Sequence, residues 1–347
     1  MPRFMRRLVA LTGCLGVLLM LGASTAVAQY QVTNLVSNQV GQAQHTDPLL
    51  VNAWGLAYGP GGPFWISDEA TGWSTLYTGN GIKQGLEVVV PAENGKGTGS
   101  PTGIVFNGSQ TGEFQVGGWQ AFFLFATLDG TISGWAPQSN PNQAIIAVDN
   151  SSAGASYTGL AITNHASGNF LFAADFNNNK VDMYDGAFTL VSSFTDTTVP
   201  AGFAPFGIQD LNGMVYVAFA SQAGKSGGYI DVYSESGVFL KQLTHGAQLN
   251  QPWGMAAATK NFGPLSNTLL VTNNLNKNGT INAFNSITGQ FVGTMKDTNG
   301  KNINIDQLWG IEFGGGTSKN GGVNELFFTA GPSDNLAGTF GEIEFQQ

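Results

Sequence analysis

The sequence is poor in the residues that carry redox and much of metal chemistry. It has one cysteine, Cys14, three histidines, and charged residues at only 10% of its 347 positions. All its arginines lie within residues 1–28, which leaves ten lysines against 22 acidic residues, a net charge of −12, in residues 29–347. That region can therefore form no disulfide, thiolate metal site or cysteine nucleophile.

The lack of arginine after residue 28 also restricts the partners. Phosphate backbones are bound by Lys/Arg clusters, and paired hydrogen bonds to a carboxylate or phosphate are typically made by arginine. We therefore expect no nucleic-acid partner. What the chain does have is 49 glycines and 11% aromatic residues. Disordered chains are aromatic-poor, so this composition indicates a turn-rich, all-β extracellular protein.

The N-terminus has the features of an export signal. Arg3, Arg6 and Arg7 precede an apolar run over residues 8–21, and the small residues of Ala26-Val27-Ala28 follow. This pattern predicts a signal peptide over residues 1–28, cleaved before Gln29, and a periplasmic or extracellular protein. The apolar run is too short for stable membrane insertion. The alternative is a lipobox that ends at Cys14. The apolar run continues past that cysteine, which argues against a lipobox.

One short pattern, x-Gly-apolar, recurs six times and opens an apolar strand each time. The glycines stand 48, 56, 48, 47 and 56 residues apart, which is the length of one four-stranded propeller blade with its loops. The six glycines are Gly55, Gly103, Gly159, Gly207, Gly254 and Gly310. Each glycine is followed by a second apolar strand, a polar loop and a third strand. The third strand shows period-2 alternation, as in Val181-Asp182-Met183-Tyr184.

A fourth strand follows in five repeats, but the sixth repeat ends after its third strand, Gly341–Phe345. Residues 30–36 stand alone before the first repeat, and we expect them to supply the missing strand and close the ring. Closure removes the unpaired sheet edges that an open ring would leave. Residues 29–347 are therefore predicted to form one all-β, six-bladed β-propeller and to be monomeric. The rival fold, a β-sandwich, explains the six repeats less well.

The repeat resembles that of NHL propellers, most clearly in Phe170-Leu171-Phe172-Ala173-Ala174-Asp175-Phe176-Asn177. The region from residue 29 onward further resembles a family of exported bacterial propellers of unassigned function, through phrases such as Asp129-Gly130-Thr131-Ile132-Ser133-Gly134-Trp135. Some members carry a C-terminal sorting tail that is absent here, so the resemblance implies release from the cell. It implies no established reaction.

The loops that lead into the first strand of each blade, and those between its second and third strands, are expected to share one face. Candidate ligand-binding residues there include Asn52 and three tryptophans at one repeat position, Trp54, Trp253 and Trp309. Flat indole faces suit sugar rings. The alternative is that the tryptophans fill space within or between blades.

Two histidines, His45 and His245, fall in loops on the same face. Either could act as a general base, and His45 has Asp47 nearby in the sequence. The alternative for both is an exposed loop histidine. The third histidine, His165, is expected on the opposite face.

A hard cation is a further interpretation of this face. Ca²⁺ takes carboxylate, amide and carbonyl oxygens. Calcium-dependent lactonase propellers hold the metal in the channel with one Glu and with Asn and Asp from different blades, and Glu69, Asp175 and Asn273 (or Asn274) could converge likewise. The alternative is that these residues cap turns.

Two functions follow. The first is a ligand-binding or interaction module whose partner is a small molecule, a glycan or an extracellular protein. The second is a calcium-dependent hydrolase or lyase. The sequence contains no nucleophile elbow and no spacing that supports a Ser/His/Asp set, so no catalytic residue is assigned.

Overall fold

The structure, a computed structural model, describes residues 29–163 and 168–346. The predicted signal peptide and His165 lie outside the described residues. Within these ranges the chain is built from β-strands and three short 3₁₀ turns. No helix in this part of the chain is long and apolar enough to cross a membrane.

Two strands precede the first blade, β1 (Gln29–Ser37) and β2 (His45–Thr46). Blade 1 comprises β3 (Ala53–Tyr58), β4 (Phe64–Asp68), β5 (Trp73–Tyr77) and β6 (Lys83–Val89). Blade 2 comprises β7 (Pro101–Phe106), the hairpin β8 (Gln115–Val116) and β9 (Trp119–Gln120), β10 (Phe123–Thr127), β11 (Thr131–Trp135) and β12 (Ile145–Asp149). Blade 3 comprises β13 (Tyr157–Ile162), β14 (Leu171–Asp175), β15 (Lys180–Tyr184) and β16 (Leu190–Phe194).

Blade 4 comprises β17 (Phe203–Asp210), β18 (Met214–Ser221), β19 (Tyr229–Ser234) and β20 (Phe239–His245). Blade 5 comprises β21 (Pro252–Ala257), β22 (Thr268–Asn273), β23 (Thr280–Asn285) and β24 (Phe291–Thr294). Blade 6 comprises β25 (Leu308–Phe313), β26 (Leu326–Ala330) and β27 (Thr339–Gln346), completed by β1 and β2. The predicted six-bladed propeller is confirmed.

The ring closes through the N-terminal strand, as predicted. β1 pairs antiparallel with β27, with Tyr30 opposite Phe345 and Val32 opposite Ile343. Tyr30, Leu35 and Val36 are buried, and the Tyr30 hydroxyl donates to the carbonyl of Phe262 at 2.7 Å. β2, which was not predicted, pairs parallel with the end of β1 and covers the outer edge of blade 6.

The repeated glycine is explained by how closely the first strands of adjacent blades approach. A Cβ on Gly207 would lie 1.9 Å from the carbonyl oxygen of Trp253 in the next blade, and one on Gly55 would lie 2.4 Å from that of Thr102. Real Cβ contacts are never this short, so glycine is required. Apolar side chains of neighbouring blades fill the space between sheets; Trp135 of blade 2, for example, packs against Trp65 of blade 1 with ring centroids 4.7 Å apart.

Candidate functional site

We call the end of the ring where the first strands begin the upper face. It carries the loops from the fourth strand of one blade to the first strand of the next (the 4–1 loops) and those between second and third strands (the 2–3 loops). The residues predicted to bind a ligand or a metal were expected on this face. The structure allows their surroundings to be compared one by one.

The three predicted tryptophans come together at the centre of the upper face. With Phe206 they form a cluster that we call the aromatic plug. Trp54 and Trp309 are stacked with ring centroids 3.7 Å apart, and Trp253 meets both edge-on at 5.9 and 6.0 Å. The four rings are between 4% and 9% exposed, so they present little flat surface to a ligand and mainly fill the mouth of the ring.

Polar groups tie the aromatic plug to several blades. The Trp309 indole N–H donates to Asn52 Oδ1 at 2.9 Å, and the Trp253 indole donates to the carbonyl of Thr158, two blades away, at 2.8 Å. Asn52 is itself buried and donates through Nδ2 to Glu69 Oε2 at 2.7 Å. One connected group therefore contains four of the predicted residues, Asn52, Glu69, Trp54 and Trp309. Their side chains contact mainly one another.

The channel below the aromatic plug is nearly filled. Its cavity measures about 20 Å³ and is lined by the glycines and apolar residues of the first strands, with Gln209 and Glu312 among them. A single water needs about 10–15 Å³ of such space. The channel can hold about one water and has no room for an organic substrate.

Six equivalent residues stand where the second strands reach the upper face around the aromatic plug: Glu69, Leu128, Phe176, Ala220, Asn274 and Gly331. Glu69 is the one carboxylate in this set. A calcium site built from these positions would therefore have a single charged ligand, and that ligand already accepts from Asn52.

The other two predicted metal ligands occupy a different repeat position from Glu69. Asp175 and Asn273 end their strands, like Asp68 in blade 1, and so lie one residue earlier in the repeat. Neighbouring strand residues point to opposite faces of the sheet. The side chain of Glu69 therefore points to the opposite face of its sheet from the face that Asp175 and Asn273 occupy in theirs.

Both residues are also occupied within their own blades. Asp175 Oδ1 accepts from the backbone N–H of Ser156 at 3.1 Å, and Oδ2 accepts from Asn178 at 2.8 Å. Asn273 Oδ1 accepts from the Asn250 N–H at 2.8 Å. They cap turns, as the alternative interpretation proposed. No group of three or more His, Cys, Asp or Glu side chains is placed to hold a metal in residues 29–163 and 168–346.

The two described histidines lie away from the aromatic plug. His45 belongs to β2 at the rim, where its ring would lie 3.0 Å from a Cβ on Gly81. His245 is exposed and stacks on Tyr229 with ring centroids 5.7 Å apart. Asp47 does not pair with His45; its Oδ2 instead accepts from the Tyr77 hydroxyl at 2.6 Å and from Lys83 at 2.7 Å. The suggested His45–Asp47 constellation is not formed.

The Asp47–Tyr77 contact is one of a repeated type that the sequence reasoning missed. The tyrosine that ends a third strand meets a polar residue of the preceding 4–1 loop. Tyr184 accepts from Asn150 at 2.8 Å, and Tyr233 donates to Asp196. The recurring tyrosines were visible in the sequence, but their partners lie about thirty residues upstream with no fixed motif.

Glu312 is the carboxyl group in the wall of the channel. Burial raises its pKa from 4.5 to about 8. Because the pKa in the folded protein lies above the ordinary value, the folded state holds the extra proton. The contribution that this proton makes to the free energy of unfolding is fully present below about pH 4.5 and is lost as the pH rises through 8.

We therefore expect Glu312→Gln to stabilise the protein at pH 9 relative to wild type, by about 2 kcal/mol once partial solvent access is allowed for, and to have little effect at pH 5. Chemical unfolding at the two pH values measures this. Exposed Glu93→Gln is the control. An equal effect of Glu312→Gln at both pH values would show that the charge of Glu312 does not destabilise the fold.

A groove lies at the rim of the upper face, beside the strand that closes the ring. Its volume is about 770 Å³, within the 300–1,000 Å³ usual for ligand sites. We call it the closing-strand groove. It is bounded by residues 30–34 of β1, by residues 297–306 of the blade 5–6 loop, and by residues 37–42, with Pro332 and Ser333 at one end. None of the predicted site residues lines it.

Comparison with known proteins identifies the relatives of this chain. No family model matches it. Uncharacterized protein R648 of Acanthamoeba polyphaga mimivirus is 30% identical over 345 residues, which cover 93% of this chain and 82% of R648. The chain belongs to the R648 family. Uncharacterized protein L690 of the same virus is 27% identical over 346 residues, which cover 93% of this chain and 87% of L690.

The relatives that show the R648 family are viral, so the resemblance to exported bacterial propellers is not confirmed and stays a prediction. Among solved structures, a gluconolactonase from Xanthomonas campestris has a TM-score of 0.54 at 11% identity, covering 86% of this chain and 87% of that one. Virginiamycin B lyase from Staphylococcus aureus has a TM-score of 0.53 at 14% identity, covering 92% and 99%. At these identities the likeness shows the propeller fold alone.

Proposed function

We propose that this chain is an exported ligand-binding or interaction propeller, without catalytic chemistry of its own, that engages its partner on the upper face. The observation that carries the proposal is the state of the polar groups around the aromatic plug. Glu69, Asp175 and Asn273 are engaged in hydrogen bonds within their own blades. The Trp54 indole N–H is the exception, since it is buried without a partner in the part of the chain that the structure describes. A ligand would therefore meet few free polar groups at the aromatic plug and an open groove at the rim.

Export is part of the proposal and rests on the sequence of residues 1–28. The composition supports it, because a cysteine-free and arginine-free region suits an extracellular binding protein that needs neither a reduced thiol nor an anionic partner. Separation of periplasm, cells and medium after expression of the full-length chain tests it. We expect the protein in the periplasm or medium, beginning at Gln29.

The second candidate is a calcium-dependent hydrolase or lyase. It is favoured by the fold likeness to a gluconolactonase and a lyase and by the position of Glu69 near the axis. It would need at least four further oxygens, from other residues or water, beside those of Glu69, since Ca²⁺ takes six to eight oxygens at roughly 2.3–2.6 Å.

Calcium titration distinguishes the two candidates. We expect CaCl₂ at about 10 mM, above the roughly 10⁻⁴–10⁻³ M range of extracellular calcium sites, to leave the melting temperature unchanged and to give no heat of binding. We also expect no hydrolysis of glucono-δ-lactone with calcium present. Glu69→Gln and its matched control, Glu93→Gln, should likewise show no change of melting temperature with calcium, no heat of calcium binding and no lactone hydrolysis. Saturable calcium binding that Glu69→Gln abolishes, together with lactone turnover, would establish the enzyme and overturn the binding module.

A further inference from the structure

The floor of the closing-strand groove contains an open piece of sheet edge. Every second residue of β1 directs its backbone away from β27: the Tyr30 N–H donates to the Lys296 carbonyl at 3.0 Å, and the Asn34 carbonyl accepts from Gln44 at 3.2 Å. Val32 lies between them and shares their orientation. Its N–H and C=O have no partner within the described residues, so they present a donor and an acceptor side by side to the groove.

This open edge is too short to accept another strand. Lys296 occupies the position beside Tyr30, and Gln44 occupies the position beside Asn34. Strands rise about 3.3 Å per residue, so the gap between the two contacts is roughly 13 Å at most and offers one residue's pair of groups. An extended peptide that added to the sheet would collide with both neighbours. The edge suits a compact ligand instead.

The side chains around this edge are mainly uncharged amides. Gln39, Gln42 and Asn302 are exposed on the groove and donate no side-chain hydrogen bond within the described ranges. An amide group both donates and accepts. Hydroxyl groups match such a lining and also match the paired N–H and C=O of Val32, because each hydroxyl both donates and accepts.

The charged groups in the groove leave little for an ionic ligand. Asp306 accepts from the backbone N–H groups of Lys277 and Ser333, and Asp297 Oδ1 accepts from those of Asn299 and Lys301. Lys301 is the one lysine on the lining, and no arginine occurs after residue 28. An anion would meet one exposed lysine together with two carboxylates. Val32 and Ile305 add apolar surface.

We propose that the closing-strand groove binds a neutral saccharide, with ring hydroxyls on the Val32 backbone and the amides of Gln42 and Asn302. This inference rests on the proposed binding function and names its ligand class. It places the site at the rim, on the strand that closes the ring, and away from the channel axis where the sequence had placed it.

The test uses calorimetric titration of the chain from Gln29 with neutral hexasaccharides: cellohexaose, maltohexaose, mannohexaose, xylohexaose and chitohexaose. At least one is expected to bind, and an acidic galacturonate hexamer is not. The double variant Gln42→Ala/Asn302→Ala removes two hydrogen-bonding side chains from the groove and should weaken binding by roughly fivefold or more. Gln115→Ala, an exposed amide on blade 2, is the matched control and should bind like wild type.

A third variant isolates the backbone contact. Val32→Pro removes the outward N–H without breaking a bond to β27, a place where proline is tolerated on an edge strand, and it should weaken binding. Val32→Ala keeps the N–H and loses only apolar surface, so it should weaken binding less than Val32→Pro does. Melting temperatures of all variants confirm that they fold. Absence of binding to every neutral hexamer, equal binding of the acidic one, or binding unchanged in the double variant would overturn the saccharide inference.

The titration also separates this inference from the proposed function. Suppose that a neutral hexapeptide of Gly, Ser and Thr binds, that the double variant weakens this binding, and that no saccharide binds. The saccharide inference is then wrong, and the binding module stands. If the chain turns over glucono-δ-lactone, the binding module is wrong whatever the groove binds.

Discussion

Removal of residues 29–44 is expected to lower the free energy of unfolding by more than about 5 kcal/mol, because burying each large apolar side chain contributes about 1.5–3 kcal/mol. Tyr30, Leu35 and Val36 are buried and Val32 is partly buried against blades 5 and 6. The deletion also frees the edge of β27 along the whole β1 pairing. Single domains are stable by about 5–15 kcal/mol, so the truncated chain should be largely unfolded or aggregated at 37 °C.

The measurement is thermal and chemical unfolding of a chain that begins at His45, compared with one that begins at Gln29. A synthetic peptide of residues 29–44 should restore the melting temperature when added, since the strand and its binding site are separate in sequence. Tyr30→Phe, which loses the hydrogen bond to the Phe262 carbonyl and the one from the Leu265 N–H, should cost about 2 kcal/mol. A chain from His45 with normal stability would contradict closure by β1.

Trp309→Ala is expected to destabilise the protein by about 3–5 kcal/mol, the usual cost of truncating a buried aromatic residue. The Trp309 ring stacks on Trp54, meets Trp253 and Phe206, and donates to the buried Asn52. Its removal leaves a cavity at the ring axis and an unsatisfied acceptor on Asn52. If the tryptophans were instead an open ligand platform, the substitution would weaken binding at little cost to stability.

Chemical unfolding of Trp309→Ala measures this effect, and Trp119→Ala is the matched control because Trp119 is 53% exposed. The control should change stability by no more than about 0.5 kcal/mol. Trp309→Phe should recover part of the loss. A Trp309→Ala variant within about 1 kcal/mol of wild type would show that the aromatic plug does not hold the blades together.

The fold could be predicted from the sequence because its signals recur. Close approach of the first strands requires glycine at Gly55, Gly207 and their equivalents, so the requirement appears six times at blade-length intervals. The missing last strand predicted β1 in the same way. β2 and the β8–β9 hairpin escaped prediction because each strand has two residues, too few to show a period.

The site was harder to predict because its geometry depends on single-residue register. Glu69 and Asp175 both follow an apolar run, yet one stands a position later than the other, and alternation then separates their side chains. The tryptophans were placed correctly at one repeat position, but only the structure shows that blades 1, 5 and 6 bring them into mutual contact. The closing-strand groove combines segments almost three hundred residues apart, and no local pattern announces it.

The central claim is that the carboxylates and amides of the upper face serve turns and blade contacts, and not a channel metal. A crystal structure of the chain from Gln29, grown with about 10 mM CaCl₂, tests it most directly, since bound Ca²⁺ shows oxygen ligands at roughly 2.3–2.6 Å. We predict no ion on the axis, with Glu69 on Asn52, Asp175 on Ser156 and Asn273 on Asn250. A calcium ion held by Glu69 with oxygens from two other blades would contradict the claim.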